Sequence, residues 1–180
     1  MNVLRDKQFS SKELAEIADI RPATLQTWIS RYVDSAKPED GPEGGGSQGR
    51  HRTFTGYGVV QYAIAAQLIK SSVSTEMALR AGATFAHSAG PSSGQYARIP
   101  GVPFVDPNAK VETMLCVSHK GSTAVPRYAG FDWWKEANVL LGNPGGVFVL
   151  PVDRIWIETC WKMALEPNSV LEAAAQELGI

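Results

Sequence analysis

The N-terminal part of the chain carries apolar residues at the spacing of amphipathic helices. Leu14, Ile17 and Ala18 form one apolar stripe, which predicts a first helix. Ser10 and Glu13 have the spacing of a capping box, in which a serine hydroxyl accepts a hydrogen bond from the backbone three residues on and the glutamate reaches back. The pattern therefore predicts a helix that starts directly after Ser10.

A second helix is predicted after a tight turn, because Pro22 suits the first turn of a helix and few other positions. Leu25, Trp28, Ile29 and Tyr32 follow at the spacing of a face turned to the core. The opposite face is expected to be exposed. It is polar and made mostly of short side chains, namely Thr24, Gln26, Thr27, Ser30 and Arg31.

Two further helices are predicted beyond a glycine-rich stretch. Thr55 ends a segment that is expected to be extended, and it is the expected cap of a helix over residues 56–70. Ser74 is expected to cap a fourth helix, which carries apolar residues up to Phe85. The first half of the chain is therefore predicted to be mainly helical.

The second half mixes strand and helix patterns. Residues 113–118 and 146–150 predict short strands, while residues 137–141 fit either type. Two stretches, 34–49 and 88–103, are rich in glycine and proline, and the first can neither hold a helix nor bury a core. We therefore interpret residues 34–49 as a flexible insertion and residues 88–103 as a linker.

The C-terminal end is predicted to form two helices. Asp153 is the expected cap of a helix over 154–166, and Pro167 is expected to end it. Ser169 is expected to open a last helix that ends at Gly179. The first of these helices is apolar on much of its surface, so it should be buried on several sides, which suits a dimer interface.

Composition and charge narrow the possible functions. Apolar residues make up 44% of the 180 residues, enough for a substantial core. The formal net charge is −1, and it divides into +1 over residues 1–80 and −2 over the rest. Any affinity for nucleic acid must therefore come from the local placement of a few cations.

Several function classes find no support in the sequence. No apolar run reaches the roughly 18 residues of a membrane span, and the first residues lack a signal peptide's apolar core, so we expect a cytoplasmic protein. Cys116 and Cys160 are expected to be reduced, packed thiols. Cys116 and His119 lack the second ligand pair of a zinc site, so we expect no metal or other cofactor. No catalytic constellation stands out, and we expect the protein not to be an enzyme.

Two helices joined by a tight turn, the second with an exposed polar face, have the arrangement of a helix-turn-helix. In such a motif the second helix lies in the major groove of DNA and the first crosses the phosphate backbone. Short hydroxyl and amide side chains can then bind base edges, and flanking arginines can bind phosphates. The two helices alone are weakly specific, because helical hairpins occur in many unrelated cores.

Five short pieces of sequence between Phe9 and Phe85 make the motif more specific. They are FSSKELA at 9–15, IRPATL at 20–25, the aromatic Trp28, RTFT at 52–55 and VSTEMA at 73–78. Their order and spacing resemble the DNA-binding head of the mercury-resistance regulator (MerR) superfamily. The resemblance covers nearly half of the chain, and it implies a winged helix-turn-helix in which residues 52–55 belong to the wing.

The resemblance implies DNA-contacting roles for particular positions. Residues of the first helix would meet the backbone, residues of the second would face the groove, and the wing would grip phosphates. The family usually has arginine and an aromatic residue where this chain has Gln26 and Thr27, so its contacts cannot be transferred there. The expected DNA-binding residues are Ser11, Lys12, Arg21, Thr24, Gln26, Thr27, Arg31, Arg50, His51 and Arg52.

The predicted fold class is α+β. An all-α winged helix-turn-helix head over residues 1–87 is expected, followed by the linker at 88–103. Residues 104–180 are expected to form a small mixed α+β domain for dimerisation or regulation. The long coiled coil through which MerR relatives dimerise has no counterpart here, because a Gly-Pro pair follows the fourth helix.

The predicted function is that of a bacterial or phage transcriptional regulator. It would bind an operator in double-stranded DNA as a homodimer joined through its C-terminal domain, within the nucleoid of the cytoplasm. Activation, repression and a contact with RNA polymerase stay open. Two alternatives also stay open: a DNA-architectural factor, such as an excisionase or a phage packaging subunit, and a protein-interaction module that uses the same head.

Overall fold

The protein is described by a computed structural model over residues 3–32, 52–89, 96–106 and 110–180. The predicted insertion at 34–49 lies outside the described residues, as do Arg50 and His51. Both halves of the chain contain helices and a small antiparallel sheet, which makes the fold class α+β, as predicted. In chain order they are α1 (Val3–Asp6), β1 (Gln8–Ser10), α2 (Ser11–Ile17), α3 (Pro22–Tyr32), β2 (Thr53–Thr55), α4 (Gly56–Lys70), α5 (Thr75–His87), β3 (Glu112–Ser118), β4 (Gly121–Arg127), α6 (Trp133–Leu140), β5 (Phe148–Pro151), α7 (Asp153–Lys162) and α8 (Pro167–Leu178).

The four helices predicted in the first half are confirmed. α2 begins at a complete capping box, in which the N–H of Glu13 donates to Ser10 Oγ at 3.3 Å and the N–H of Ser10 donates to Glu13 Oε2 at 2.7 Å. α3 begins at Pro22, and α5 begins after Ser74, whose hydroxyl caps it. Thr55 holds the N-cap position of α4, but its side chain makes no capping hydrogen bond.

α4 lies at the centre of the molecule and is buried on almost every side. Val59, Ile64 and Ala65 are essentially inaccessible to solvent. α1, α2, α5, α7 and the strands β1 and β2 all pack against it. α5 approaches α4 closely, since a Cβ on Gly82 would lie 2.4 Å from the carbonyl oxygen of Gln61. One helix therefore organises the packing of both halves of the chain.

β1 and β2 form a two-stranded antiparallel sheet in the first half. Phe9 lies opposite Phe54, and Ser10 lies opposite Thr53. The prediction of an all-α head is therefore wrong in this detail. Three-residue strands are too short for an alternating pattern to mark them, and it is the pairing across the chain that defines them.

The second half contains a three-stranded antiparallel sheet in the order β4-β3-β5. β3 and β5 match the predicted strands within two residues. β4 was not predicted, because Gly121 and Pro126 are poor strand formers. The ambiguous residues 137–141 belong mostly to α6, and Ala137 of this helix and Leu141 at its C-cap cover one face of the sheet. The opposite face joins the core around α4.

Asp153 does not cap α7 as predicted. Val152 holds the N-cap position without a side-chain hydrogen bond. The Asp153 carboxylate instead accepts a hydrogen bond from the backbone N–H of Thr113 at 2.7 Å. Burial raises the pKa of Asp153 despite this bond. The residue thus fastens the start of α7 to β3, a contact between segments far apart in sequence.

The boundary between the last two helices also differs from the prediction. α7 ends at Lys162, and Pro167 begins α8 rather than ending α7. The N-cap is Glu166, whose carboxylate accepts from the N–H of Ser169 at 2.6 Å, so Ser169 is not the cap. Gly179 ends α8 as predicted, with the positive φ of 76° that favours glycine.

The described part of the predicted linker is packed into the core. The guanidinium of Arg98 is buried and donates to the carbonyl oxygens of Phe85 at 3.0 Å and Ser88 at 2.6 Å, where α5 ends. It also lies 4.4 Å above the ring of Phe85. Burial lowers the pKa of Arg98 to about 10, so the group keeps its charge at neutral pH. A cation is favourable there, because carbonyls concentrate negative potential at the end of a helix.

Three helices meet at Gly101, three residues further on. Its N–H donates to the carbonyl of Phe85 on α5 at 3.1 Å, and its carbonyl accepts from the indole N–H of Trp156 on α7 at 2.8 Å. A Cβ at this position would lie 2.6 Å from the ring of Tyr57 on α4, and φ is +70°. The two halves therefore share one continuous core, and the division into separate domains stays a prediction.

Gly101→Ala is expected to lower the free energy of unfolding by about 2–4 kcal/mol, because it adds left-handed backbone strain to a clash with Tyr57. Gly130→Ala is the matched control, since Gly130 has φ +81° but open space around its Cα. That control should lose only about 1–2 kcal/mol. Urea unfolding measures both, and equal losses would contradict the crowding at Gly101.

Candidate nucleic-acid interface

The turn between α2 and α3 is short and held at both sides. Asp19 has a φ of 53°, a left-handed conformation that aspartate tolerates better than most residues. The N–H of Ile20 donates back to the carbonyl of Ala15 at 2.9 Å, and the Ile20 side chain is buried. The Asp19 carboxylate accepts from Lys70 Nζ at 2.6 Å, at the end of α4. The angle between the two helices is therefore fixed by local and distant contacts.

α3 has one face in the core and one face in solvent. Leu25, Trp28 and Ile29 are buried, as the spacing predicts. The opposite side chains are exposed, so this face is available to a partner. It includes Ala23, Gln26, Thr27, Ser30 and Arg31.

An aromatic contact joins α3 to the strand β2. The ring of Tyr62 on α4 stacks on Trp28 with centroids 6.5 Å apart, and Phe54 of β2 meets Tyr62 edge-on at 6.1 Å. Burial raises the pKa of Tyr62 to about 12, while the positive charge of Arg52 acts in the opposite direction. Tyr62 therefore packs between α3 and β2, and the charge of Arg52 acts on its hydroxyl group.

Arg52 lies at the base of the predicted wing, directly before β2. Its neighbour Thr53 pairs with Ser10, so Arg52 lies beside the start of α2. The side chain is half-buried, and its Nη1 has no hydrogen-bond partner within the described part of the chain. The chain's fold thus brings a cation from beyond the glycine-rich segment to the start of α2.

The predicted DNA-contacting residues fall into three groups. Five of the ten are exposed on α2, in the turn or on α3: Lys12, Arg21, Gln26, Thr27 and Arg31. Ser11, Thr24 and Arg52 are half-buried, and Arg50 and His51 lie outside the described residues.

The sequence-based set omits Ser30, although its spacing from Gln26 and Thr27 places it on the same exposed face. Lys12 lies 4.0 Å from Glu16 on the next turn, which partly balances its charge.

Hydrogen bonds restrict what the hydroxyl groups on α3 can recognise. The Thr27 hydroxyl donates to the carbonyl of Ala23 at 2.9 Å, and the Ser30 hydroxyl donates to the carbonyl of Thr27 at 3.1 Å. With their protons engaged, both oxygens are available as acceptors. Gln26 carries an exposed amide with donors and an acceptor, so it has the widest choice of partners on this face.

Other chemistry has little support in the described residues. No group of three or more His, Cys, Asp or Glu in these ranges could hold a metal ion. Cys116 and Cys160 are buried free thiols, and burial raises their pKa to about 11 and about 12, which disfavours the reactive thiolate. None of the helices described is long and apolar enough to cross a membrane.

The comparisons with known proteins add no family. No protein-family model and no curated protein matches the chain. The resemblance to the MerR superfamily thus rests on the motif order described above and stays a prediction.

The capping box of α2 should make stability depend on acidic pH. Hydrogen bonds from the Ser10 backbone and hydroxyl lower the pKa of Glu13 below 4.5. A carboxylate with a lowered pKa stabilises the fold above its unfolded value, and this contribution is lost as pH falls through the folded pKa. Wild type should therefore lose thermal stability more steeply below pH 4.5 than Glu13→Gln.

An NMR titration of the Glu13 carboxyl group provides the control for this expectation. In Ser10→Ala the backbone N–H of residue 10 remains, but the hydroxyl contribution is removed, so the pKa of Glu13 should rise toward 4.5. A Glu13 pKa that is unchanged in this variant would show that the side-chain half of the box does not form.

Proposed function

We propose that this protein is a sequence-specific DNA-binding transcriptional regulator that binds its operator as a homodimer. α2 and α3 would form the helix-turn-helix, and the β1–β2 sheet would form the base of the wing. The observation that carries the proposal is the division of α3, with Leu25, Trp28 and Ile29 in the core and a polar face in solvent. The proposal rests equally on the motif order that resembles the MerR superfamily.

The dimensions of α3 suit the major groove. Arg21 lies just before the helix and Arg31 lies in its last turn, both exposed. Ten residues of helix at 1.5 Å each separate them by about 15 Å along the axis, and the groove is roughly 12 Å wide. The two arginines could therefore reach phosphates on both sides of the groove while Gln26 and Thr27 face the bases between them.

Charge and surface composition favour a dimer. Because the net charge is −1, each head has few cations for binding phosphates, and its electrostatic contribution to DNA affinity is weak. Two heads on one operator would double that contribution. Within the described ranges, the large hydrophobic side chains that are exposed all belong to the second half. They are Trp134, Val139, Phe148, Trp161 and Ile180. We therefore assign dimerisation to that half.

Binding-site selection with the full chain tests the proposal directly. A dimer with two heads should return a motif of two half-sites. Gln26→Ala combined with Thr27→Ala should change the selected bases, weakening binding to the original site by about 1–3 kcal/mol with little change in nonspecific affinity. Gln176→Ala is the control, because Gln176 is an exposed glutamine on α8, outside the proposed DNA interface.

The outcomes of this selection separate the candidate functions. An unchanged motif in the Gln26 and Thr27 variant would remove these two residues as readers of sequence. DNA affinity without any preferred sequence would favour an architectural role instead. Absence of DNA binding would contradict the proposal and leave the polar face of α3 as a surface for a protein partner.

Arg52→Gln should weaken binding to all DNA sequences and flatten its dependence on salt. Removal of one bound phosphate lowers the slope of log affinity against log salt by about one, so the slope of a dimer with two Arg52 side chains should fall by about two. Arg154→Gln is the control, because Arg154 is an exposed arginine on α7 that pairs with Glu158. Equal slopes in wild type and Arg52→Gln would remove Arg52 from the interface.

A further inference from the structure

A groove of about 310 Å³ lies between α5 and the hairpin of β3 and β4. Its volume is at the lower end of the range for small-molecule pockets. Arg80 and Thr84 of α5 form one wall, and His119 and Lys120 of the hairpin turn form the other. Its lining residues include no aspartate or glutamate. The groove is therefore a basic cleft in a protein whose net charge is slightly negative.

Hydrogen bonds in and around the hairpin turn hold Lys120 in place. Ser118 Oγ accepts from the N–H of Lys120 at 3.1 Å, and its hydroxyl donates to the carbonyl of Gly121 at 3.4 Å. Lys120 Nζ donates to the carbonyl of Gly142 at 2.6 Å. An ammonium group has three donors, so two remain for a ligand. Gly142 follows α6 and does not line the groove, so this bond anchors the Lys120 side chain at the edge of the hairpin turn.

Arg80 faces this turn from α5. Its Nη2 lies 2.8 Å from the carboxylate of Glu76, one helical turn away. A guanidinium has five N–H donors, so this ion pair leaves others available to an anion. Met77 and Val117 add an apolar surface beside the charged groups. The groove therefore combines a cationic mouth with an apolar wall, which suits a ligand with two chemically different ends.

We propose that this groove binds a small organic anion, a phosphate ester or carboxylate that carries an apolar group. The anionic end would lie between Arg80 and Lys120, with His119 at the rim, and the apolar group would lie against Met77 and Val117. α5 is packed tightly on α4 at Gly82, and α4 carries the Tyr62 that contacts Trp28 of α3. A ligand that holds α5 against the hairpin would thus act on the scaffold of α3, and this regulatory consequence alone rests on the proposed function.

Calorimetric titration with phenyl phosphate and with inorganic phosphate tests the site in the absence of DNA. Both probes should bind saturably, and phenyl phosphate should bind roughly tenfold tighter, because its ring adds apolar burial. Arg80→Gln should weaken phenyl phosphate binding at least tenfold. Arg154→Gln is the matched control, since Arg154 also pairs with a glutamate four residues away at 2.8 Å, and it should leave the affinity unchanged.

Several results would overturn the proposal. They are absence of saturable binding, equal affinity for the two phosphates, and equal weakening by the two arginine substitutions. Amide chemical shifts of the wild type give an independent test, because phenyl phosphate should perturb residues 118–122 and the facing part of α5. If a short DNA duplex displaces phenyl phosphate and this displacement depends on Arg80, the groove binds DNA phosphate instead. If the protein fails to bind DNA but still binds phenyl phosphate, the proposed function is contradicted and the proposed anion site is not.

Discussion

The fold depends on the burial of α4. A helix without a polar face has to be covered by other elements on nearly all sides. Burial of each of its large apolar side chains contributes about 1.5–3 kcal/mol to the free energy of folding. Covering it takes elements from both ends of the chain, namely α1, α2, β1 and β2 from the first half and α7 from the second. The polar face of α3 is consequently presented by a helix whose support comes from the whole molecule.

Elements defined by neighbouring residues could be predicted from the sequence. The capping box of Ser10 and Glu13, the proline at the start of α3 and the glycine at the end of α8 each act within one or two helical turns. β4 and the true role of Asp153 could not be predicted in this way. A strand that contains glycine and proline exists here because β3 pairs with it, and Asp153 bonds to Thr113, forty residues away.

In the candidate DNA interface, too, local sequence patterns predict some features and contacts between distant residues determine others. The exposed face of α3 follows from helical periodicity, and that reasoning extends to Ser30 as well as Gln26. The position of β2 relative to α3 depends on Tyr62, which packs between Trp28 and Phe54, and no local pattern indicates this contact. The basic groove could not be predicted for a similar reason, because α5 and the hairpin that form it are separated by the whole of the predicted linker.

The contacts of Arg98 and Gly101 bear on how such a protein could evolve and be engineered. A head that folds by itself can be exchanged between proteins as a cassette. Here the end of α5, the ring of Tyr57 and the indole of Trp156 all converge on the segment between the halves. Chimaeras that join this head to a foreign C-terminal half would lack one side of that junction. Inactivating alleles in a genetic screen should accordingly scatter over both halves of the gene, far beyond the codons of α3.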